Sequence, residues 1–171
     1  MSFFYIRVYY LLKRVIMNTF AANCPLLSMR VFLYKIAGLK IGKNTRINPK
    51  CYFSTAKISI GRDSFVNRFC QVQDGLMGGG IIIGDNCFIA FNVVFCLVSH
   101  EIGSSCLRAG KRFGGNIVIG NGSWIGANAI IMPNVKIGKG VIIAAGSLVN
   151  KDCEDNCIYA GVPAKKIKEL K

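Results

Sequence analysis

The 171-residue chain has one histidine, one tryptophan, four prolines and only eight acidic residues against 22 lysines and arginines. Each shortage excludes something. A single histidine removes chemistry that needs two or three imidazoles, including most histidine-ligated metal sites, so no metal is expected. Few prolines, with 19 glycines that follow no three-residue period, exclude a collagen-like chain. A hydrophobic content of 52% excludes disorder. No stretch reads as a membrane span: the uncharged run from Val15 to Met29 is short, and Asn18, Asn23 and Pro25 interrupt it. Phe20-Ala21-Ala22-Asn23-Cys24 matches a lipoprotein cleavage site only loosely. The length suits one domain that buries roughly 70% of its unfolded surface.

The few acids are unevenly placed. The first is Asp63, and eleven cations precede it, from Arg7 to Arg62. A basic N-terminal third points to an anionic partner such as a phospholipid surface. Nucleic acid is not expected, because no recognition module is present.

The dominant signal is a period of six. Ile41-Gly42-Lys43-Asn44-Thr45-Arg46 aligns with the segments starting at Ile60, Ile83, Ile119, Ile125 and Ile137. Position one is aliphatic or Phe, as at Ile47, Phe53, Val66, Phe95 and Ile143. Position five is small, as at Thr45, Ser64, Ala129 and Ser147. A helix does not explain this, because six is not a multiple of 3.6 and interior glycines each cost about 1 kcal/mol. A short strand plus a tight corner does, with Gly or Asn expected to supply unusual backbone angles. Positions one and five share parity, so both point inward. Cys51, Cys70, Cys87 and Cys153 fall in the small slot, which marks them as packing residues in a reducing compartment. Two stretches break the period, residues 73–82 and 97–116. Before the repeats, Phe3 to Phe20 has a helical pattern, Pro25 suits a first helical turn and Gly38 a helix stop.

These hexapeptides, over about residues 38 to 168, resemble the hexapeptide-repeat acyltransferases, in particular galactoside and maltose O-acetyltransferases and polysaccharide O-acetyltransferases. The resemblance implies an all-β fold, a left-handed parallel β-helix with three strands per coil. The expected layout is an N-terminal helical segment (1–38), the β-helix with its two loops (39–160) and a short C-terminal helix or tail (161–171).

The resemblance also assigns residues. His100, in Val98-Ser99-His100-Glu101, takes the place of the general base. An imidazole with an ordinary pKa of about 6.5 suits removing a hydroxyl proton near neutral pH. Asn67 and Asp74 fall where the acceptor is held, with Asp74 or Glu101 as orienters of His100. Ser123-Trp124-Ile125-Gly126-Ala127, Ala144-Ala145-Gly146-Ser147 and Ala160-Gly161-Val162-Pro163-Ala164-Lys165 match the coenzyme A groove. There Gly126, Ala127 and Ala145 must be small, Trp124 walls the thioester end, and Lys151, Lys165 and Lys168 meet phosphates. Each has a plainer alternative: corner residues, a subunit contact, a solvated tail.

The implied protein is a cytoplasmic homotrimer that moves acetyl from acetyl-CoA to a hydroxyl of a sugar or glycan precursor, as in surface polysaccharide biosynthesis. Alternatives are N-acetylation of an amino sugar or nucleotide sugar, a xenobiotic acetyltransferase, and a non-catalytic scaffold. A γ-class carbonic anhydrase shares the fold but needs three zinc histidines. Residues 1–37 are expected either to contact a membrane peripherally, through Arg7, Lys13, Arg14, Arg30 and Lys35, or to cap the open end of the solenoid.

Overall fold

The computed structural model describes residues 3–171. Met1, Ser2 and the side chains of Phe3, Phe4 and Arg7, part of the expected membrane face, lie outside the described residues. The architecture is the expected left-handed parallel β-helix. Each coil contributes one strand of two or three residues to each of three parallel sheets. The first sheet begins with Lys40–Ile41 and Ile58–Ile60, the second with Arg46–Ile47 and Phe65–Val66, the third with Tyr52–Phe53 and Gln71–Gln73.

Register makes the core. Ile41, Ile60, Ile83, Ile119 and Ile137 stack in one inward column. Ile47, Val66, Ile89, Ile125 and Ile143 form the second, and Phe53, Val72, Phe95, Ile131 and Val149 the third. All are buried, as are the small residues at position five. Each such aliphatic side chain contributes about 1.5–3 kcal/mol on leaving water, which is how two-residue strands hold together. Of the inward cysteines, Cys51, Cys87 and Cys153 are held as thiols, Cys87 by burial. Contact with the Cys70 sulfur and then burial raise the Cys51 pKa, and burial, with Asp152 and Cys157, pushes Cys153 up to about 12.

The corners differ from expectation in one respect. Left-handed backbone falls at position four, on Asn44, Lys50, Asp63, Phe69, Asn86, Asn92 and Asn128, not on the position-two glycines. Those glycines are needed for close stacking instead. A β-carbon on Gly126 would lie 2.5 Å from the Ala145 nitrogen of the next coil.

Helix α1 (Phe3–Val15) runs into a π-helical stretch, Ile16–Ala21, and helix α2 covers Leu27–Ile36. Gly38, at φ 108°, follows α2 as the stop. Together they close the first coil. Met17, Ala21, Tyr34 and Ala37 are buried, and the Tyr34 and Phe53 rings lie 5.2 Å apart. Asn18 donates to the Phe53 carbonyl and accepts from its amide, and the Lys50 amide donates to the Ala22 carbonyl. Arg30 is buried and donates to the carbonyls of Cys24, Pro25 and Ile47, so it is a structural cation.

The C-terminal helix is corrected. Ala164–Glu169 is a strand, paired antiparallel with Cys157–Gly161. A helix there would be too short to stabilise itself and would place Lys165 and Lys168 on one face. Pairing instead satisfies the open edge of the second sheet. Lys166 joins Glu154 at 2.7 Å and Glu169 at 3.8 Å. The long break in the repeat is also more ordered than a loop. Val98–Ile102 and Ala109–Gly114 form an antiparallel hairpin.

Candidate active site

Both departures from the solenoid leave the same corner, between the third and first sheets, on successive coils. They lean on each other. A β-carbon on Gly75 would lie 2.9 Å from a Val98 methyl, and Arg112 Nη1 donates to the Gly75 carbonyl at 3.4 Å. In the hairpin His100 pairs with Arg112, so their side chains share one face. His100 is exposed. Glu101, next in the strand, falls at an irregularity in the pairing register between His100 and Ile102.

Asp74 opens the shorter loop and is 6% exposed. Its carboxylate accepts the Leu76 amide at 3.2 Å, and its own amide donates to Ser54 Oγ at 2.8 Å. It lines a cavity of about 500 Å³ between this corner and α1, with Ser54 and Lys57 on one side and Tyr10, Leu11 and Arg14 on the other. Arg14 is anchored on the Tyr52 hydroxyl at 2.9 Å, and Lys57 on the Gly78 carbonyl at 2.9 Å.

A second cluster lies at the corner between the second and third sheets. Gly126 is buried there, Ala127 half-buried and Ala145 exposed. Asn67 occupies the same corner two and three coils earlier. Its Oδ1 accepts from Asn48 Nδ2 at 2.9 Å and from the Arg68 amide at 2.8 Å. Trp124, half exposed, stands in the outward column of the second sheet, Phe65–Phe88–Trp124–Ile142–Ile158, with Lys168 at its end. Lys165 pairs with Ala160 near the Ala145 corner, whereas Lys151 follows the third sheet, on the His100 side. The site residues therefore divide. His100, Asp74 and Lys151 flank one edge of the third sheet, and Asn67, Gly126, Ala127 and Ala145 the other. One protomer does not bring them together. Among the described residues no cluster of three His, Cys, Asp or Glu could hold a metal.

Residues 116–151 match the family model described as bacterial transferase hexapeptide (six repeats). A galactoside acetyltransferase solved in complex with coenzyme A superposes with a TM-score of 0.85 at 32% identity, over 97% of this chain and 82% of that one. The chain belongs to the hexapeptide-repeat acetyltransferase family. The galactoside O-acetyltransferase of Escherichia coli K12 is 37% identical over 131 residues, 76% of this chain and 63% of that protein. A chloramphenicol acetyltransferase of Klebsiella aerogenes is 53% identical over 107 residues, 61% of this chain and 50% of that protein. The chain thus aligns with less than two thirds of the length of these curated relatives.

Against this family background, three features were not legible as site elements. Arg112 stood in a basic stretch, but only hairpin register sets it beside His100. Ser54 and Lys57 look like a plain corner, though a count of one coil from Asp74 would have reached them. Phe69, half exposed beside Asn67, takes φ 66° at a position where most other coils use Asn or Gly. Phe69→Asn is expected to raise Tm by roughly 2–4 °C, the effect of relieving about 1 kcal/mol in a chain of this size. A thermal melt checks it, and a lower Tm would mean that the ring's contacts outweigh the backbone strain.

Proposed function

We propose that this protein is an acetyl-CoA-dependent O-acetyltransferase whose acceptor is a hydroxyl of a sugar or glycan precursor. The observation that carries the reading is the joined corner: exposed His100 on a hairpin that rests on the loop of Asp74, with Asp74 walling a 500 Å³ cavity. A cavity of this size with one buried carboxylate suits a small polyhydroxyl acceptor.

His100 removes the acceptor hydroxyl proton as the oxygen attacks the thioester carbonyl. The tetrahedral intermediate collapses with cleavage of the carbon–sulfur bond, and the imidazolium returns the proton to the departing thiolate. The acetyl ester and free coenzyme A leave, so atoms and charge balance. Asp74 holds an acceptor hydroxyl, and Asn67 a second.

Coenzyme A fits the opposite corner. Ala127 and Ala145 present only methyl groups, and nothing lies within 4 Å of where a Gly146 β-carbon would be. An extended pantetheine arm could lie along this surface, with Trp124 at its thioester end and Lys165 and Lys168 toward its phosphates. Because the two half-sites sit on opposite edges of one sheet, the complete site needs a neighbouring copy, which supports a homotrimer with three sites. Among the described residues no helix is long and apolar enough to cross a membrane. An acetyl-CoA donor supports a cytoplasmic reaction.

The 53% identity with a chloramphenicol acetyltransferase favours a second reading, in which an antibiotic hydroxyl is the acceptor of the same chemistry. One panel decides: neutral sugars, amino sugars, nucleotide sugars and chloramphenicol with acetyl-CoA, followed by free thiol release and product mass. Acetyl ester on a sugar is the expected result. Turnover with chloramphenicol alone selects the second reading, an amide product selects N-acetylation, and no thiol release with any acceptor leaves the scaffold.

A further inference from the structure

We propose that the outer surface of α1 and α2 docks on an anionic phospholipid bilayer. The helices cap the solenoid through Met17, Ala21, Tyr34 and Ala37, and this leaves their other faces bare. On α1, Tyr9, Tyr10, Leu11 and Leu12 are each more than half exposed, and on α2 Met29, Phe32 and Ile36 are too. Phe20 and Leu26, at the junction, extend the same surface. Consecutive helical residues lie about 100° apart, so these four ring α1. Tyr10 and Leu11 also wall the cavity beside Asp74, while a helix left apolar and exposed all round is not a solvated one.

The charges around this surface select the partner. No acid precedes Asp63 in the chain. Lys40 and Lys57 line one open cavity with Tyr9 and Tyr10, and Lys13 Nζ lies 4.3 Å from the centre of the Tyr9 ring. Lys35 is exposed on α2, and Arg46 stands beside Leu27 and Val31. Asp63, which lines the same cavity as Leu27 and Val31, accepts from Asn44. The cations differ from those expected from sequence. Arg30 is buried and Arg14 is bonded to Tyr52, and the first coil supplies Lys40 and Arg46 instead. Tyrosines with lysines at the margin and aliphatic residues between them match a headgroup–acyl boundary. A second copy presenting the same face would set these cations against each other. The proposal does not depend on acetyl transfer.

The test is co-sedimentation of the full chain with phosphatidylcholine vesicles and with phosphatidylcholine–phosphatidylglycerol vesicles, at low and physiological salt. Binding is expected to the anionic vesicles, weaker with salt. Lys35→Glu/Lys40→Glu should lower the partition coefficient about tenfold or more, since each basic residue near the surface adds a comparable increment. Leu12→Ser/Phe32→Ser should do the same with an unchanged circular dichroism melt, and the charge variant, which alters only exposed side chains, carries the test if this one unfolds. Equal, negligible binding to both vesicles overturns the proposal. So does a wild-type oligomer that dissociates in light scattering when Leu12 and Phe32 become serine, because a second copy would then cover the face.

Discussion

His100→Ala is expected to fold and assemble normally and to lose acetyl transfer by about 100-fold or more, the usual contribution of a general base. The side chain is exposed at the middle of a hairpin strand, so its removal opens no cavity. The chain has no second histidine to substitute for it. The loss should fall on kcat, because the imidazole acts on the proton as the carbon–oxygen bond forms and contributes little to binding acetyl-CoA. Single-turnover thiol release, beside a measurement of coenzyme A affinity, separates the two. Near wild-type turnover under saturating substrates would remove His100 from the mechanism and return the scaffold reading.

An equal mixture of two inactive variants should regain activity. His100→Ala removes the half-site at one edge of the third sheet, and Asn67→Ala the half-site at the other. In trimers assembled at random from both, about one quarter of the interfaces pair an intact His100 edge with an intact Asn67 edge. Co-refolded protein should therefore reach up to about a quarter of wild-type turnover, far above either parent. Asn67→Ala also loses two hydrogen bonds at its corner, so its fold must be checked by thermal melt. If one protomer held a whole site, mixing would give only the average of the parents.

The candidate site was partly legible. A lone histidine inside one break in the repeat (97–116) marks an exposed feature on a rigid frame, and Asp74 lies in the other break (73–82). The period and its interruptions placed both on departures from the frame; their roles came from the family resemblance. The C-terminal segment was misread because the run Lys165-Lys166-Ile167-Lys168 carries no clear strand alternation. Its pairing comes from an unsatisfied sheet edge, which is a property of the folded coil. The glycines were assigned the wrong duty for a related reason. A glycine's tolerance of left-handed backbone is local, whereas the 2.5 Å approach of Gly126 to the next coil exists only after stacking.

Sequence by itself determined the solenoid. Inward positions one and five repeat within every hexapeptide, so the burial of Ile41, Ile60, Ile83, Ile119 and Ile137 in one column follows from local parity and coil length. Tertiary structure alone decided how the site is shared out. Whether His100 and Gly126 meet depends on which corner each departs from, and corners on opposite edges of a sheet are set by the three-sided winding. It alone also decided the fate of the N-terminal cations. Arg30 and Lys35 are five residues apart with the same charge, yet one reaches inward to three carbonyls and the other stays in water, because only one faces the open end of the first coil.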